Sequence, residues 1–490
     1  MPSKTLFPET LRRDAAASLV VFLVALPLCV GVAVASGVPA ELGLITGIVG
    51  GLVAGLLPGS SLQVSGPAAG LTVLVFEAVH RYGLPALGAL VLAAGLLQLL
   101  LGLLRMGRWF RAISIAVVEG MLAGIGLTII AGQLYAMADA KAPGSGPAKL
   151  AGLPALLAET LTSPGALAAL GVGAGTIAVL AGWPRLPAPI RAVPAPLAAV
   201  ALATGAVAAF GLPVARLDVR GLAGAIRPPG LDELASLAEV GMIGTVVAFA
   251  LISSAETLFS AAAVDRMHDG PRTDYDKELI AQGAGNAVCG ALGALPMTAV
   301  IVRSSANVQA GARTKTSRVL HGVWLLLFAA LFPAVLGVIP LAALAGVLVH
   351  AGWKLMPIGQ LVPLWRRHRG EAVVLLCTAI AVVALNLFEG VLLGLLLAVI
   401  KTAWETSHVH VDVVSQEEDG LLQVRLSGNA TFLRLPKMLD TLEALPRDRP
   451  IELDLSEVRH LDHACRTALT AWADRHNRAG TPAVSVPANL

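Results

Sequence analysis

The chain has 490 residues, of which 56% are hydrophobic and only 14% are charged, and its mean hydropathy is +0.77. A soluble domain carries about 25% charged residues, so this composition excludes a soluble enzyme and a disordered chain. The net charge of +3 is too small to indicate a nucleic-acid partner. Four widely separated cysteines indicate neither a disulfide framework nor a metal site. The composition predicts an α-helical, polytopic membrane protein.

Stretches without Asp, Glu, Lys or Arg predict the membrane segments in chain order. A helix of about 20 residues crosses the hydrocarbon core, so the longest stretches are long enough to cross twice. Together with shorter apolar runs they predict about fourteen segments, some of them short or broken, and no cleaved signal peptide. The long stretches are 15–40, 42–76, 82–104, 120–138, 160–184, 192–215, 279–302 and 319–353, and the shorter runs are 240–255, 372–388 and 390–400.

Basic residues between the segments predict the orientation. With a cytoplasmic N-terminus and fourteen crossings, nineteen Lys and Arg lie on the inner side and six on the outer side. This asymmetry agrees with the positive-inside rule. The inner set includes Lys4, Arg111 and Arg318, and the outer set is Arg81, Lys141, Lys149, Arg216, Arg220 and Arg227.

The composition changes after Lys401. Alternating, strand-like pieces at 409–414, 421–426 and 451–455 are followed by an amphipathic piece at 465–477. Strands interleaved with helices predict a small α/β domain, here on the cytoplasmic side. We therefore expect a membrane domain at residues 1–405 and a second domain at residues 406–490.

Glu256 is the only charged residue in the stretch 240–264. A carboxylate that faces lipid costs about 3 kcal/mol, so this side chain should face a cavity or a polar group. Ser260 follows one helical turn later on the same face. A carboxylate and a hydroxyl together are able to hold Na⁺, and a carboxylate alone is able to carry H⁺. The structural alternative is a packing glutamate that is hydrogen-bonded to a neighbouring hydroxyl.

Arg303 follows a short β-branched run, residues 300–302, at membrane depth. Ser304 and Ser305 are good N-cap residues, which predicts a helix that begins near Ala306. Free backbone N–H groups, the positive end of the helix dipole and a guanidinium together make an anion site. The alternative is an arginine that snorkels to water from a cytoplasmic helix end.

Gly66, Pro67 and Ala68 form a similar break, in which a short extended stretch leads into a helix. Such a break is weak evidence alone, but it precedes the Arg303 break by about 238 residues. In the same way, the helix that contains Pro27 precedes the helix that contains Glu256 by a similar number of residues. Two interrupted segments at corresponding positions of two halves are typical of transporters built from inverted repeats.

At these residues the sequence closely resembles the sulfate permease (SulP, solute carrier 26) family of anion transporters, and the tail looks like a STAS domain. The resemblance implies a 7+7 inverted-repeat, uracil-permease-like fold with core and gate domains, commonly a homodimer. It also implies an anion site between two half-helix N-termini and an elevator mechanism. The matching residues are Glu278 to Asn286, Gly293, Pro296, Thr298, Arg303, Ser304, Asn307, Gly311 and Thr314, with Asp265 and the Gly66 break.

The resemblance also implies residue roles. Glu256 and Ser260 match the ion-coupling positions of the family. At these two positions, sodium-driven bicarbonate members have Asp and Thr, and proton-coupled members have Glu at the first. The glutamate therefore favours H⁺ over Na⁺. The residues that match the family's substrate site are Gly66, Pro67, Ala68, Arg303, Ser304 and Ser305, with Pro27 in the first helix.

The first helix departs from the sulfate members, because it lacks their Gln after Pro27 and their Tyr. The more apolar wall weakens the case for sulfate and favours bicarbonate, with a dicarboxylate such as fumarate as a further candidate. The leading hypothesis is an H⁺-coupled importer of one of these anions. The alternatives are a Na⁺-coupled bicarbonate importer, an anion exchanger, an uncoupled anion channel and a membrane sensor whose output is the tail.

The tail also departs from its family, because His463 and Ala464 replace the serines of the STAS loop. Phosphoserine control is therefore not expected, and His463 is expected to be a solvent-exposed loop residue. We expect no cofactor, no enzymatic activity and an unidentified partner of the STAS domain. The expected location is the bacterial inner (plasma) membrane, with the N-terminus and the STAS domain in the cytoplasm.

Overall fold

A computed structural model describes residues 6–108, 114–191, 193–218, 221–415, 422–446 and 450–478. Lys4, Arg111, Arg220, residue 192 and Leu421, on which the sequence analysis relied, lie outside these ranges. The chain divides into two compact units, Met1–Leu395 and Leu396–Leu490. The boundary at 405/406, which marks the exit from the membrane, stays a prediction.

The first half of the large unit supplies seven segments in the described residues. They are apolar helices. The chain is interrupted by a π-helical turn, by a short strand and by small helices in two of the connections. In chain order the elements are α1 (Leu6–Ala35), α2 (Ala40–Val49) with its π-helical turn (Gly50–Ala54), β1 (Ser65–Pro67), α3 (Thr72–Tyr82), α4 (Leu84–Leu103), α5 (Ile115–Met137), α6 (Gly146–Ala151), α7 (Leu153–Thr162), α8 (Pro164–Gly182), α9 (Ala188–Arg191) and α10 (Ala195–Phe210).

The second half repeats this order after two short helices, α11 (Leu222–Ala225) and α12 (Leu231–Ala235). It again places a three-residue strand between its second and third helices. Its elements are α13 (Val240–Val264), α14 (Tyr275–Ala291), β2 (Met297–Ala299), α15 (Ile301–Gln309), α16 (Thr316–Leu331), α17 (Pro333–Leu336), α18 (Leu341–Leu355), α19 (Ile358–Arg367), α20 (Arg369–Ala384) and α21 (Leu387–Thr406).

Helix packing shows that the two halves are equivalent. In one bundle, α1 packs on α16 while its counterpart α13 packs on α4. In the other, α5 packs on α20 while α18 packs on α8, and α5 and α18 pack on each other. If each helix is replaced by its counterpart in the other half, the α1–α16 contact becomes the α13–α4 contact, and the α5–α20 contact becomes the α18–α8 contact. This correspondence confirms the predicted inverted-repeat fold. We call α1–α4 with α13–α16 the core bundle, and α5–α10 with α18–α21 the gate bundle.

The core bundle is held together by a close helix crossing of α4 and α14. Glycines repeat every seven residues on one face of α4, at Gly88, Gly95 and Gly102. A Cβ on Gly95 would overlap the backbone of Ala287 and lie 2.8 Å from the carbonyl oxygen of Gly283. Small residues at such crossings let the backbones approach and gain van der Waals contact, which drives helix association in membranes.

The small unit forms the predicted α/β domain. Its sheet has the order β3 (Val409–Ser415), β4 (Leu422–Ala430) and β5 (Ile451–Leu461), with β3 antiparallel and β5 parallel to β4. Helices α22 (Leu435–Glu443) and α23 (His463–Arg478) complete it. This architecture is consistent with a STAS domain.

Asp462 joins β5 to α23. Burial opposes its ionisation, but backbone N–H groups of Cys465 and Phe432 donate to its carboxylate and hold the pKa of Asp462 below its usual value. His463 is exposed, as expected, but it is the first residue of α23 and not part of a loop. The capping aspartate explains the difference, because it starts the helix immediately after the strand.

Replacing Gly95 with Ala should destabilise the protein by about 1–3 kcal/mol, since the added methyl group meets backbone atoms that have no room to move. The matched control is Gly171→Ala in α8, where nothing lies within 4 Å of the added atom. That variant should be neutral or slightly stabilised. Thermal unfolding in detergent measures both, and equal midpoints for the two variants would contradict this packing.

Candidate functional site

The two predicted breaks meet in the centre of the core bundle. Strands β1 and β2 pair antiparallel, so that Gly66 lies opposite Thr298 and Pro67 opposite Met297. The Val300 N–H extends the ladder by donating to the carbonyl of Val64 at 2.9 Å. Strand β2 leads into α15, and β1 leads into α3 through a 3₁₀ turn at Ala69–Leu71. Both helical segments therefore begin at this crossing.

Arg303 lies in the first turn of α15 and is completely buried. Its Nη2 donates to the carbonyl of Pro67 at 3.4 Å, while Nε and Nη1 have no hydrogen-bond partner. Gly66 has no side chain at the point where Nη1 lies, and a Cβ there would overlap that nitrogen. Among the described residues no carboxylate forms an ion pair with Arg303. The burial also excludes the alternative of a snorkelling arginine.

The start of α15 differs from the prediction. The helix begins at Ile301, with Val300 as an extended N-cap residue, and not near Ala306. Ser304 and Ser305 therefore lie within the helix and do not cap it. The β-branched run was interpreted as extended because of its propensity, but only Val300 remains extended since the β1–β2 ladder ends there.

The two serines have different environments. The Ser304 hydroxyl is buried, accepts from the Val64 N–H at 2.9 Å and donates to the Val300 carbonyl at 2.8 Å. The Ser305 hydroxyl is half-buried and donates to the Val302 carbonyl of its own helix. Ser304 thus positions β1 against α15.

Glu256 lies on α13, beside the other end of the first break. Its carboxyl group occupies the space that a Cβ on Gly70 would need, and the Thr298 side chain is its neighbour. One of its oxygens, Oε2, is buried without a hydrogen-bond partner. Ser260 is buried one turn later, and its hydroxyl donates to the Ala299 carbonyl at 2.9 Å.

Pro27 is buried inside α1. Two residues later the buried Cys29 thiol lies against the Arg303 guanidinium, and it also fills the space beside Gly47. His321 of α16 is completely buried near Arg303, and neither of its ring nitrogens has a hydrogen-bond partner. Cys29 and His321 were not predicted as site residues, because their chain positions give no spacing signal.

A buried polar network fixes the two breaks in place, and only its residues on α14 were predicted, through the family resemblance. Asn286 donates to Gln98 at 2.6 Å, and its amide exchanges hydrogen bonds with both backbone groups of Met297. Gln282 donates to the Ser65 hydroxyl at 2.5 Å. Together with Glu278, these residues recur every four positions along α14, a spacing that identifies one polar helix face.

Arg318 was counted among the basic residues of the inner side, and the structure shows that its side chain is buried. It is only 2% exposed, because its guanidinium crosses from α16 to the chain that follows α2. That chain has left its helix and offers unpaired carbonyls. The carbonyls that accept from Arg318 belong to Ala54, Gly55, Leu57, Ser60 and Gln63.

Within the described residues, no three His, Cys, Asp or Glu side chains are grouped so that they could hold a metal ion. The expectation that the protein uses no cofactor stays a prediction.

Comparisons with known proteins agree with this geometry. The family model described as "Sulfate permease family" matches residues 11–378. Two similar proteins are the putative sulfate transporter YvdB of Bacillus subtilis, 26% identical over 96% of this chain and 90% of its own length, and the bicarbonate transporter BicA of Picosynechococcus, 26% identical over 94% and 86%.

Solved structures show the same fold. The transmembrane domain of a cyanobacterial bicarbonate transporter, BicA, superimposes with a TM-score of 0.67 at 24% identity, covering 80% of this chain and 97% of that one. Murine Slc26a9, an anion transporter in the inward-facing state, gives a TM-score of 0.77 at 16% identity, covering 96% and 84%.

Ser304→Ala should destabilise the protein by about 1–3 kcal/mol, because it leaves the buried N–H of Val64 without an acceptor. Ser305→Ala removes a hydroxyl of the same chemistry one residue away and should leave stability nearly unchanged. Thermal unfolding of both purified variants measures the difference. Equal stability of the two would show that the Ser304 hydroxyl does not hold β1 in place.

Proposed function

The chain belongs to the sulfate permease family, and on this premise we propose that it is a secondary-active transporter of a small anion, working as an H⁺-coupled symporter. Its family and relatives are transporters and not enzymes. The choice of anion, the coupling ion and the mechanism are the parts of the proposal that need experiment.

The observation that carries the proposal is the unpaired guanidinium of Arg303. Burying a charge without a counter-charge is costly, yet two of its three nitrogens have no acceptor. It lies where the N-termini of α3 and α15 both start, so backbone N–H groups and helix dipoles add to the positive potential. An anion bound at this crossing would supply the missing counter-charge and acceptors.

The wall of the first helix bears on the choice of anion. Residues Pro27 and Leu28 are apolar and buried where sulfate members of the family have a polar side chain. A small, singly charged anion loses less hydration on entering such a site than a divalent one. This favours bicarbonate over fumarate and sulfate, and bicarbonate and sulfate transporters are both among the relatives.

The environment of Glu256 supports H⁺ as the coupling ion. A buried carboxylate oxygen without a partner is most easily accommodated when a proton neutralises the group. The Ser260 hydroxyl, the second group expected for Na⁺, already donates to the backbone of β2. Na⁺-coupled bicarbonate import, exchange, and an uncoupled channel or sensor are the competing functions.

An elevator movement is consistent with the polar network. Asn286, Gln98 and Arg318 tie both breaks to the core bundle, so the site would travel with that bundle against the gate bundle. We further propose a homodimer in the bacterial plasma membrane, with the N-terminus and the STAS domain in the cytoplasm. The basic residues support this orientation.

The deciding experiment is uptake by the purified protein in liposomes. Labelled bicarbonate, fumarate and sulfate are offered with and without an inward proton gradient. Accumulation of one anion above equilibrium, driven by the gradient, is the expected result. Stimulation by a Na⁺ gradient alone would replace H⁺ with Na⁺, and equilibration without accumulation would favour a channel.

Arg303→Gln should raise the apparent KM for the transported anion about 10- to 100-fold, since it removes charge-assisted hydrogen bonds. Arg313→Gln is the control, because Arg313 is exposed in the connection that follows α15. Initial uptake rates over a range of anion concentrations give both values. An unchanged KM in Arg303→Gln would remove the guanidinium from the site.

Glu256→Gln should abolish accumulation driven by the proton gradient, because the amide cannot take up a proton, while the protein remains folded. The control is Glu159→Gln, which alters an exposed carboxylate on α7. Uptake at several external pH values with equal gradients measures the effect. Full activity with unchanged pH dependence in Glu256→Gln would exclude it as the coupling residue.

A further inference from the structure

A second polar region lies between the core bundle and the gate bundle, at the ends of the helices that carry the outer basic residues. A cavity of about 240 Å³ opens there between α3, α13 and the start of α21. Its lining includes Glu77 and Ala78 from the core bundle, and Asn386 and Glu389 from the gate bundle. None of these residues belongs to the site described above.

Lys149 of α6 reaches the same boundary from the gate bundle. It is only 6% exposed, and its ammonium group lies 5.1 Å from the centre of the Phe76 ring on α3. It is attracted to the Glu77 carboxylate, although the two groups do not form an ion pair within 4.0 Å. A buried ammonium needs compensation, and here the core bundle provides it through an aromatic face and a carboxylate.

Lys149 is fixed firmly to the gate bundle. The buried hydroxyl of Tyr135 on α5 donates to the Lys149 carbonyl at 2.8 Å. Three residues earlier, Gly146 packs so closely on α20 that a Cβ would overlap the Val383 carbonyl. The backbone of α6 must therefore move with α5 and α20.

Phe76 is fixed equally firmly to the core bundle. Its ring packs on the turn between α1 and α2, where a Cβ on Gly37 would lie 3.2 Å from Cδ2. On its other side it stacks on His80 of the same helix, with ring centres 6.2 Å apart. A displacement of one bundle against the other must therefore separate Lys149 from Phe76.

We propose that Lys149 is a latch that holds the outer ends of the core and gate bundles together, and that it releases Phe76 and Glu77 each time the core bundle moves. The inference rests on the proposed elevator movement. Glu389 of the gate bundle lines the same cavity as Glu77 and Arg81 of the core bundle, so the movement also separates these ionisable groups.

The test measures access to the cavity and needs no substrate. Ala78, which is 4% exposed and lines the cavity, is replaced by Cys in a protein that carries Cys377→Ala, since the other three native cysteines are buried. Labelling of Cys at this position by a membrane-impermeant maleimide is timed in intact cells. Lys149→Met, which keeps the apolar stem, should accelerate labelling about tenfold, comparable to the loss of a desolvated cation–π contact.

Three further variants make the test specific. Phe76→Leu should accelerate labelling to a similar extent, and the double variant should be no faster than either single one, because both changes remove one contact. Lys149→Arg should behave as the parent. Lys141→Ala, which alters an exposed lysine of the same connection, should have no effect. Tm values of the purified variants establish that each is folded.

Unchanged labelling in Lys149→Met, or effects of Lys149→Met and Phe76→Leu that multiply in the double variant, would overturn the latch. The anion-uptake assay is separate, so failure of the two proposals can be told apart. If no anion is accumulated but labelling responds as expected, the transport proposal is wrong and the Lys149–Phe76 latch is supported. If accumulation is normal and labelling does not respond, only the latch proposal is wrong.

Discussion

The structure depends on one constraint, which is that backbone N–H and C=O groups at membrane depth must find partners within the protein. Two helices that stop halfway across a membrane would leave such groups unpaired. Here each interruption satisfies the other, because β1 and β2 form a short ladder with each other. Side chains complete the pairing, since the Ser304 hydroxyl accepts from Val64 and the Asn307 amide donates to the Leu62 carbonyl.

Two buried arginines of the core bundle, Arg318 and Arg303, differ in the number of hydrogen-bond acceptors around their guanidinium groups. Arg318 donates to several backbone carbonyls at once, so its charge is spread over partners that are always present. Arg303 has one long hydrogen bond, to Pro67, and two nitrogens without acceptors. The hydrogen bonds of Arg318 hold the end of the interrupted helix α2, and the loop that follows it, against α16. Arg303 leaves two guanidinium nitrogens available to accept an anion as a partner, and this difference is the physical basis for the proposed transport site.

The sequence was sufficient to predict the broken helices, because a glycine–proline pair and a buried arginine inside long uncharged stretches have few structural explanations in a membrane. It was not sufficient to place the start of α15, since the propensity of Val300 and Ile301 does not show where a ladder ends. The burial of Arg318 was not predicted for a related reason: its partners are backbone carbonyls, which the composition does not reveal. The polar face of α14 was detectable from its four-residue spacing alone, at Glu278, Gln282 and Asn286.

The proposed coupling also has a local structural basis. Gly66 lies against Arg303, and Gly70, four residues further along the same segment, lies against the carboxyl group of Glu256. A Cβ on either glycine would displace the ionisable group beside it. The cation that would meet the anion and the carboxylate that would take the proton thus lie at the two ends of one five-residue segment, 66–70. This segment pairs through Gly66 with Thr298. In the proposed coupling, a change in the charge of either group would act on the position of that segment, and through it on the other group.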